Sequence, residues 1–546
     1  MTTLKALSEQ QNQWVHATLD GMSIEDCAGQ LLCPMVRPGT TDQLLPLLEK
    51  VPLGSLFFLN TSHDELRNLL PSLNERLDIP LLVAGDLERG ANALGKDATS
   101  FPWTMGAGAA NDAALMYTRG EATAVEGRYA GLNWTFSPVI DLNLNYKNPI
   151  TNIRSLSDDP DRVIRLAIPW IQGMQEHGIM ATAKHFPGDG IDDRDQHLLT
   201  TLNTLPMDEW WELYGKVWKA VIEAGVRCIM PGHISLPDYQ GYQDNPIDAP
   251  PATIDPKILQ TLLREELGYD GLIVSDATSM NGLTTRLASE RRIVESVKAG
   301  IDVYLFPDTI DDYHHLVNAV HSGDLSEECL RDATRRVLEA KAWLNLQETF
   351  FGAEPTSEQT ETYEVASVQQ AEKSITLVRE SDNFPVSLSP EARILTVSIG
   401  QINPAFGGAD IEAFDAALIE RGYQVTHMVN PENEELRSAA KDHDAVFINN
   451  LTTPYATPGT VLTIVGHFNH WAWRSIFMEH PFVYYTAFGN PYLLHEMPHI
   501  PNLIATFGTT VEQQRAAVRV WLGEIEAQGS LPVTLSTVRI QSHRNN

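Results

Sequence analysis

Positive charge is scarce in this sequence. Its 39 Lys and Arg stand against 71 Asp and Glu, for a formal net charge of −32. Nucleic acid and anionic bilayers both require a basic face, so neither is expected as a partner, and the acidity by itself names no substrate. Cysteine is scarcer still: Cys27, Cys33, Cys228 and Cys329, with no C-x-x-C pair. Cys27 and Cys33 lie in apolar surroundings away from any histidine, which points to buried free thiols in a reducing compartment rather than to zinc. No apolar run is long enough to span a bilayer, and the N-terminus has no apolar signal region, so the expectation is a cytoplasmic chain with no membrane partner. Missing too are a G-x-S-x-G elbow, a Walker loop and a convincing metal cluster, and Gly407-Gly408 is not a G-x-G-x-x-G fingerprint. No metal or organic cofactor is expected.

What remains is an ordinary globular composition, 43% hydrophobic, spread over 546 residues, too many for one core. Short apolar runs recur through the first two thirds: Gln30–Val36, Leu53–Leu59, Leu81–Asp86, Trp134–Asp141, Ile179–His185, Val226–His233, Leu272–Asp276 and Val303–Phe306. Amphipathic stretches lie between them, among them Ala113–Ala130, Arg162–His177, Met207–Ala224 and Asp255–Leu267. Asp255-Pro256 reads as a helix start, and Gly225, Gly268 and Gly300 as helix ends. Eight strands alternating with helices predict a (β/α)8 barrel over residues 1–345. Gly352–Thr362, polar with Pro355, reads as a linker within a connecting segment over 346–385 that also holds a helix and strand. A second alternating set follows over 386–546: Ile394–Ile399, Gln424–Met428, Ala445–Asn449, Phe482–Thr486 and Leu503–Thr506, with helices Ile411–Arg421 and Val511–Gln528. That predicts a smaller α/β sandwich domain.

The chemistry gathers where strands end. Ala181–Lys184-His185 runs into Phe186-Pro187-Gly188, which stops regular structure, and then into a loop with Asp189, Asp192, Asp193, Asp195 and His197. Gly271–Asp276 and Leu81–Asp86 also end in aspartate, the latter followed by Glu88 and Arg89; Asn152-Ile-Arg154 adds an arginine, and Val226–His233 a histidine. In a barrel these ends converge on one face. A ring of charges suits the vicinal hydroxyls of a sugar, and displacement at an anomeric carbon needs a nucleophile on one side and a proton donor on the other. Asp276 fits the first role, although a lone aspartate there would equally cap a helix. Asp189, Asp192 and Asp193 read as solvated loop charges, His233 as packed, and Trp210-Trp211 as barrel packing. His467, His470, Trp471 and Trp473 read as a mixture of core and surface.

Lys184-His-Phe-Pro-Gly-Asp-Gly190 is similar to the K-H-F-P-G-x-G signature of glycoside hydrolase family 3, in its bacterial β-N-acetylglucosaminidase branch. Asp195-Gln-His197 resembles the family's D-x-H dyad, Gly271–Asp276 its nucleophile segment, and Gly85–Glu88 and Asn152–Ser155 its sugar-binding segments. The similarity spans the barrel and continues more weakly to Phe488-Gly-Asn-Pro-Tyr492. The resemblance implies Asp276 as nucleophile, His197 as acid and base oriented by Asp195, and Asp86, Arg154, Lys184 and His185 as the sugar-binding set. It implies a retaining, exo-acting β-N-acetylglucosaminidase whose partner is a small GlcNAc-containing carbohydrate. Inorganic phosphate in place of water, and β-glucosidase activity, stand beside it, with a sugar-binding barrel that does not turn over as the reading from another class. The Asp86 segment, Asp-Leu-Glu-Arg-Gly-Ala-Asn, lacks the later arginine of the simplest members, and those members lack the second domain. That domain is left with three open roles: buttress, homodimer surface or pocket wall.

Overall fold

Eight of the apolar runs become parallel strands that close on themselves. A computed structural model of the chain describes residues 6–95, 98–400, 411–451 and 471–535. The strands are β1 (Leu32–Cys33), β2 (Ser55–Phe58), β3 (Leu82–Gly85), β4 (Trp134–Thr135), β5 (Met180–Phe186), β6 (Cys228–Pro231), β7 (Leu272–Ile273) and β8 (Tyr304–Leu305). Ladders join β2 through β7 in order, Met35–Val36 extends the first run onto β2, and Leu32 pairs with Tyr304. Val274 bridges Val303 and shuts the ring between β7 and β8. The fold class is thus a (β/α)8 barrel followed by a separate α/β sheet domain. The barrel interior is filled by Cys33, Phe57, Leu82, Trp134, Met180, Met230, Leu272 and Leu305, all at most 2% exposed. At roughly 25 cal/mol per Å² of apolar surface, each large side chain here contributes on the order of 2 kcal/mol. The continuous apolar character of the runs follows, because strands in a parallel barrel are covered on both faces.

Two expectations are corrected. The run Trp134–Asp141 is not one regular strand: β4 stops at Thr135, and beyond it the chain stays on β5 only through the Ser137 and Pro138 carbonyls, which accept from Thr182 N and Lys184 N at 2.9 and 3.2 Å, and the isolated Val139–Lys184 bridge. Pro138, which has no N–H to give a ladder, sits in the break. The polar stretch Gly352–Thr362 is not all linker, since a helix covers Ser357–Ser374. Thr356 and Gln359 form a reciprocal capping box that starts it. Gly225, Gly268 and Gly300 do end helices, with φ of +85°, +71° and +120°.

The second sheet comprises β9 (Thr376–Arg379), β10 (Arg393–Ile399), β11 (Gln424–Val429), β12 (Ala445–Asn450), β13 (Val483–Ala487) and β14 (Leu503–Ala505). Their order is β9-β14-β13-β12-β10-β11, all parallel except β9. β9 adds to the five expected strands an antiparallel edge. The helix from Val511 ends at Trp521, short of the expected Gln528. Gly407-Gly408, His467 and His470 lie outside the described residues; Trp473 is buried at 1% exposure and Trp471 is 51% exposed. The helix Ser357–Ser374 ties the two halves together: Gln370 Oε1 accepts from Arg119 Nη1 at 2.8 Å. Arg119 is itself fully buried and also donates to the carbonyls of Pro102 and Glu88.

Candidate active site

Asp86, Arg154, Lys184, His185, Asp195, His197 and Asp276 all lie at the carboxyl end of the barrel strands or on the loops beyond them. Asp86 follows β3 with its side chain half exposed; Lys184 Nζ, on β5, reaches its Oδ1 at 3.3 Å. The same ammonium lies 3.0 Å from Glu88 Oε1. Arg154 closes on Glu88 from the other side with two donors, Nε to Oε2 at 3.0 Å and Nη2 to Oε1 at 2.6 Å. Burial alone would raise the Glu88 pKa, but Arg154 and Lys184 outweigh it and hold the carboxyl far below its usual range. Lys184 is likewise kept charged: burial opposes it, and Asp86 and Glu88 overcome the penalty.

His185, next on β5, donates from Nδ1 to Asp141 Oδ2 at 2.7 Å and turns Nε2 toward Asp276 Oδ2 at 3.9 Å. Asp276 follows β7. Its Oδ1 accepts the Ala277 N–H at 2.7 Å, while Oδ2 is buried without a hydrogen-bond partner. Burial pushes its pKa up, yet His185 and His233 prevail and the carboxyl is ionised below the ordinary range. His233 itself is packed, as expected. Its Nε2 donates to Ala277 O at 3.0 Å and Nδ1 takes the Thr253 hydroxyl at 2.8 Å, and burial lowers its pKa.

The acidic loop supplies the last pair. Asp195 is wholly buried; its Oδ1 accepts both the His197 N–H and the His197 Nδ1–H at 2.8 Å. That bond fixes the tautomer and leaves Nε2 free on a ring whose side chain is 37% exposed. The carbonyls of His197 and Gln196 accept from Asn281 N at 3.0 Å and Gly282 N at 3.1 Å, pinning this loop to the segment just beyond Asp276.

The solvated reading of the neighbouring charges fails for two of three. Asp189 is 3% exposed, with Oδ1 accepting from Asn148 Nδ2 and Gly190 N at 2.7 and 2.6 Å. Burial first, then the Asp141 charge, pushes its pKa up to about 7. Asp192 grips Arg194 and accepts from Leu202 N at 2.9 Å; Asp193 alone is exposed. Trp210 is buried with Nε1 on Pro187 O, whereas Trp211 is 37% exposed. Sequence reasoning passed over Glu88 as a clamp and Asp141 as a support. Glu88 stands three residues past β3 and Asp141 two past the Val139 bridge, and Asp141 closes an apolar run as Asp86 and Asp276 do.

A closed parallel barrel with an ionised, half-partnered carboxylate and a carboxylate–imidazole pair on its carboxyl face is an enzyme scaffold for polar, hydroxyl-rich ligands. The chain belongs to glycosyl hydrolase family 3: the model of that family's N-terminal domain matches residues 23–340. It is a glycoside hydrolase of that family. Along nearly its whole length it is similar to a β-N-acetylglucosaminidase/β-glucosidase of Cellulomonas fimi, 31% identical over 542 residues and 95% of each chain. A β-hexosaminidase of Hydrogenovibrio crunogenus is 29% identical over 268 residues, 47% of this chain and 72% of that one. Among solved structures, the β-glucoside phosphorylase BglX bound to 2FGlc superposes with a TM-score of 0.89 at 28% identity, covering 97% of both chains. Among the described residues no helix is long and apolar enough to cross a membrane.

Proposed function

We propose that this protein is a retaining, exo-acting β-N-acetylglucosaminidase. One observation carries the reading: Asp276, at the carboxyl end of β7, is ionised beside His185 and His233, with Oδ2 buried, free of any hydrogen bond and 3.9 Å from His185 Nε2. Such an oxygen is set to form a bond. Asp276 attacks the anomeric carbon to give a covalent glycosyl-enzyme. His197 Nε2 protonates the departing oxygen, and the neutral imidazole then takes a proton from the incoming acceptor, with Asp195 holding the ring throughout. Asp86, Arg154, Lys184 and His185 hold the sugar hydroxyls, and Glu88 sets the spacing between Arg154 and Lys184. The name of the Cellulomonas relative supports N-acetylglucosaminides and glucosides, and that of the Hydrogenovibrio relative supports hexosaminides.

A second reading, phosphorolysis, has its own support. The acid/base group is an imidazole, which when neutral does not repel an anionic acceptor as a carboxylate would. The full-length likeness to a β-glucoside phosphorylase runs the same way. The test is to incubate the protein with an aryl β-N-acetylglucosaminide, with and without phosphate, and follow the products by NMR. Free sugar of initially β configuration in both tubes supports the hydrolase. A β-sugar 1-phosphate formed only with phosphate supports the phosphorylase. No product from this glycoside or from the aryl β-glucoside defeats both and leaves a barrel that binds sugar without turnover.

A further inference from the structure

The final described segment of the chain lies on the loop that carries Arg154. Beyond helix Val511–Trp521 the backbone returns past β9, where Gly529 N donates to Ile375 O at 2.9 Å. The approach is tight enough that a Cβ on Gly529 would meet Thr376 Oγ1 at 2.3 Å, so a side chain there would push the two segments apart. From this point the chain crosses to the barrel. Ser530 N donates to Ala109 O at 3.0 Å. The Pro532 carbonyl accepts twice, from Asp158 N at 3.2 Å and from Ser157 Oγ at 2.5 Å. Thr534 N donates to Asp158 Oδ2 at 2.6 Å. Arg162 reaches back with Nη1 to the carbonyls of Leu531 and Ser530 at 2.9 and 3.3 Å. Val533, 4% exposed, enters the apolar cluster that contains Met105, Ala109 and Ile153, the last being the neighbour of Arg154.

These contacts fall where they bear on Arg154 and on little else in the site. Arg154 ends a short turn, Asn152–Arg154, and Ser155 to Ser157 follow it with no exposed surface. The next helix does not begin until Pro160, capped by Asp159. Between the turn and that helix the loop is secured at one end by Leu142 pairing with Ser157, and at that same residue by Pro532. Further back along the loop, Tyr146 stacks on His495 of the second domain at 4.4 Å between ring centroids. A guanidinium must hold both Nε and Nη2 on Glu88 to keep its fork in place, and the loop that delivers it has only the single turn Asn152–Arg154 and bonds such as Ser155 Oγ to Asp141 O at 2.6 Å and Asn143 Nδ2 to Asn152 O at 3.0 Å to set its position from the barrel side.

We propose that Ser530–Thr534 is a positioning strap by which the second domain holds the 151–158 loop, and through it Arg154, in the geometry that receives the sugar. The proposal rests on the reading that Arg154 binds a sugar hydroxyl. Pro532 and Val533 touch no substrate; they act through the loop.

The test compares chains ending after Gly529 and after Leu535 with the Val533→Ala substitution in the full chain. Loss of uniform substrate binding raises KM and spares kcat, so ending at Gly529 should raise KM for an aryl β-N-acetylglucosaminide about tenfold with kcat within about twofold. Val533→Ala should raise it about threefold, and ending at Leu535 should leave it unchanged. In an Arg154→Ala background neither strap change should add to KM. Amide hydrogen exchange over 151–158, read on the protein without sugar, should quicken in both strap variants and in no barrel strand. Unchanged exchange in the loop overturns the strap even if the enzyme is active, as does a KM effect that persists without Arg154. Faster loop exchange in a protein inert on every glycoside upholds the strap and defeats the functional reading instead. Should the shortened chain fail to fold, Val533→Ala decides alone.

Discussion

Replacing Asp189 by Asn should make the protein progressively more stable than its parent as the pH rises. Asp189 is 3% exposed, its Oδ1 already satisfied by Asn148 and Gly190, and its Oδ2 buried without a partner. Burial and the nearby Asp141 raise its pKa from 3.8 to about 7. In the unfolded chain the same carboxyl ionises near 3.8. Between those values the unfolded state has released a proton that the folded state still holds, so the stability fully present below pH 3.8 is lost as the pH climbs to about 7 and is constant above. At about 1.36 kcal/mol per unit, the shift sets a ceiling near 4 kcal/mol, of which about 2.7 kcal/mol falls between pH 5 and 7. Asn offers the same acceptor to Asn148 and Gly190 and has no charge to desolvate. The melting temperature of Asp189→Asn relative to the parent should therefore rise by about 4 °C from pH 5 to 8, taking roughly 1.5 °C per kcal/mol for a domain of this size. Differential scanning calorimetry of both proteins across that range reads the offset directly, with the exposed Asp193→Asn as a control that should stay flat. Parallel curves for Asp189→Asn and the parent would refute the reasoning, because a carboxyl ionised in both states contributes no pH dependence.

Removing the His197 imidazole as His197→Ala should cost about 10²–10⁴-fold in kcat on a sugar leaving group and far less on a dinitrophenyl glycoside, which departs without a proton; equal losses would sink its role as acid. Glu88→Gln takes one carboxylate from Arg154 and Lys184 together. It should cost about 3 kcal/mol of stability by denaturant titration and raise KM, as breaking a buried pair leaves charge uncompensated; an unchanged KM would show that the clamp does not shape the sugar site. Lys341, fully buried with Nζ on Gln30 Oε1 at 2.6 Å, has its pKa lowered from 10.5 to about 7 by burial. The unfolded state gains a proton there first as the pH falls, so the stability of Lys341→Met relative to the parent should grow by about 2–3 kcal/mol from pH 9 to 7. A gap independent of pH would mean that Lys341 is charged in both states.

How far the site could be read from the sequence depended on whether a residue's setting is local. Parallel strands buried on both faces appear as unbroken apolar runs, and a polar residue that ends such a run is conspicuous: Asp86, Lys184-His185 and Asp276 were all legible in this way. Asp141 closes a similar run, but Pro138 breaks its pairing. Its task of holding His185 depends on a neighbour 44 residues further along the chain. The helix of the connecting segment is expected, but its first residues, 357–362, read as linker because they are polar, although the Thr356–Gln359 box that starts it is present in the letters. The strap has no motif at all. It works through the Pro532 carbonyl, backbone N–H groups that nearly every sequence possesses, and Val533, an ordinary apolar residue. The clearest case is the pair Asp189 and Asp193, four residues apart in one acidic loop. By composition they are equivalent. Gly190, at φ +107° with its Cα so close to Leu142 that a Cβ would meet Leu142 O at 1.8 Å, turns the chain inward beside Asp189, while Asp193 stays at the surface. The turn therefore decides which carboxyl keeps its proton near neutral pH, and the glycine that permits it stands in the sequence beside the residue it buries.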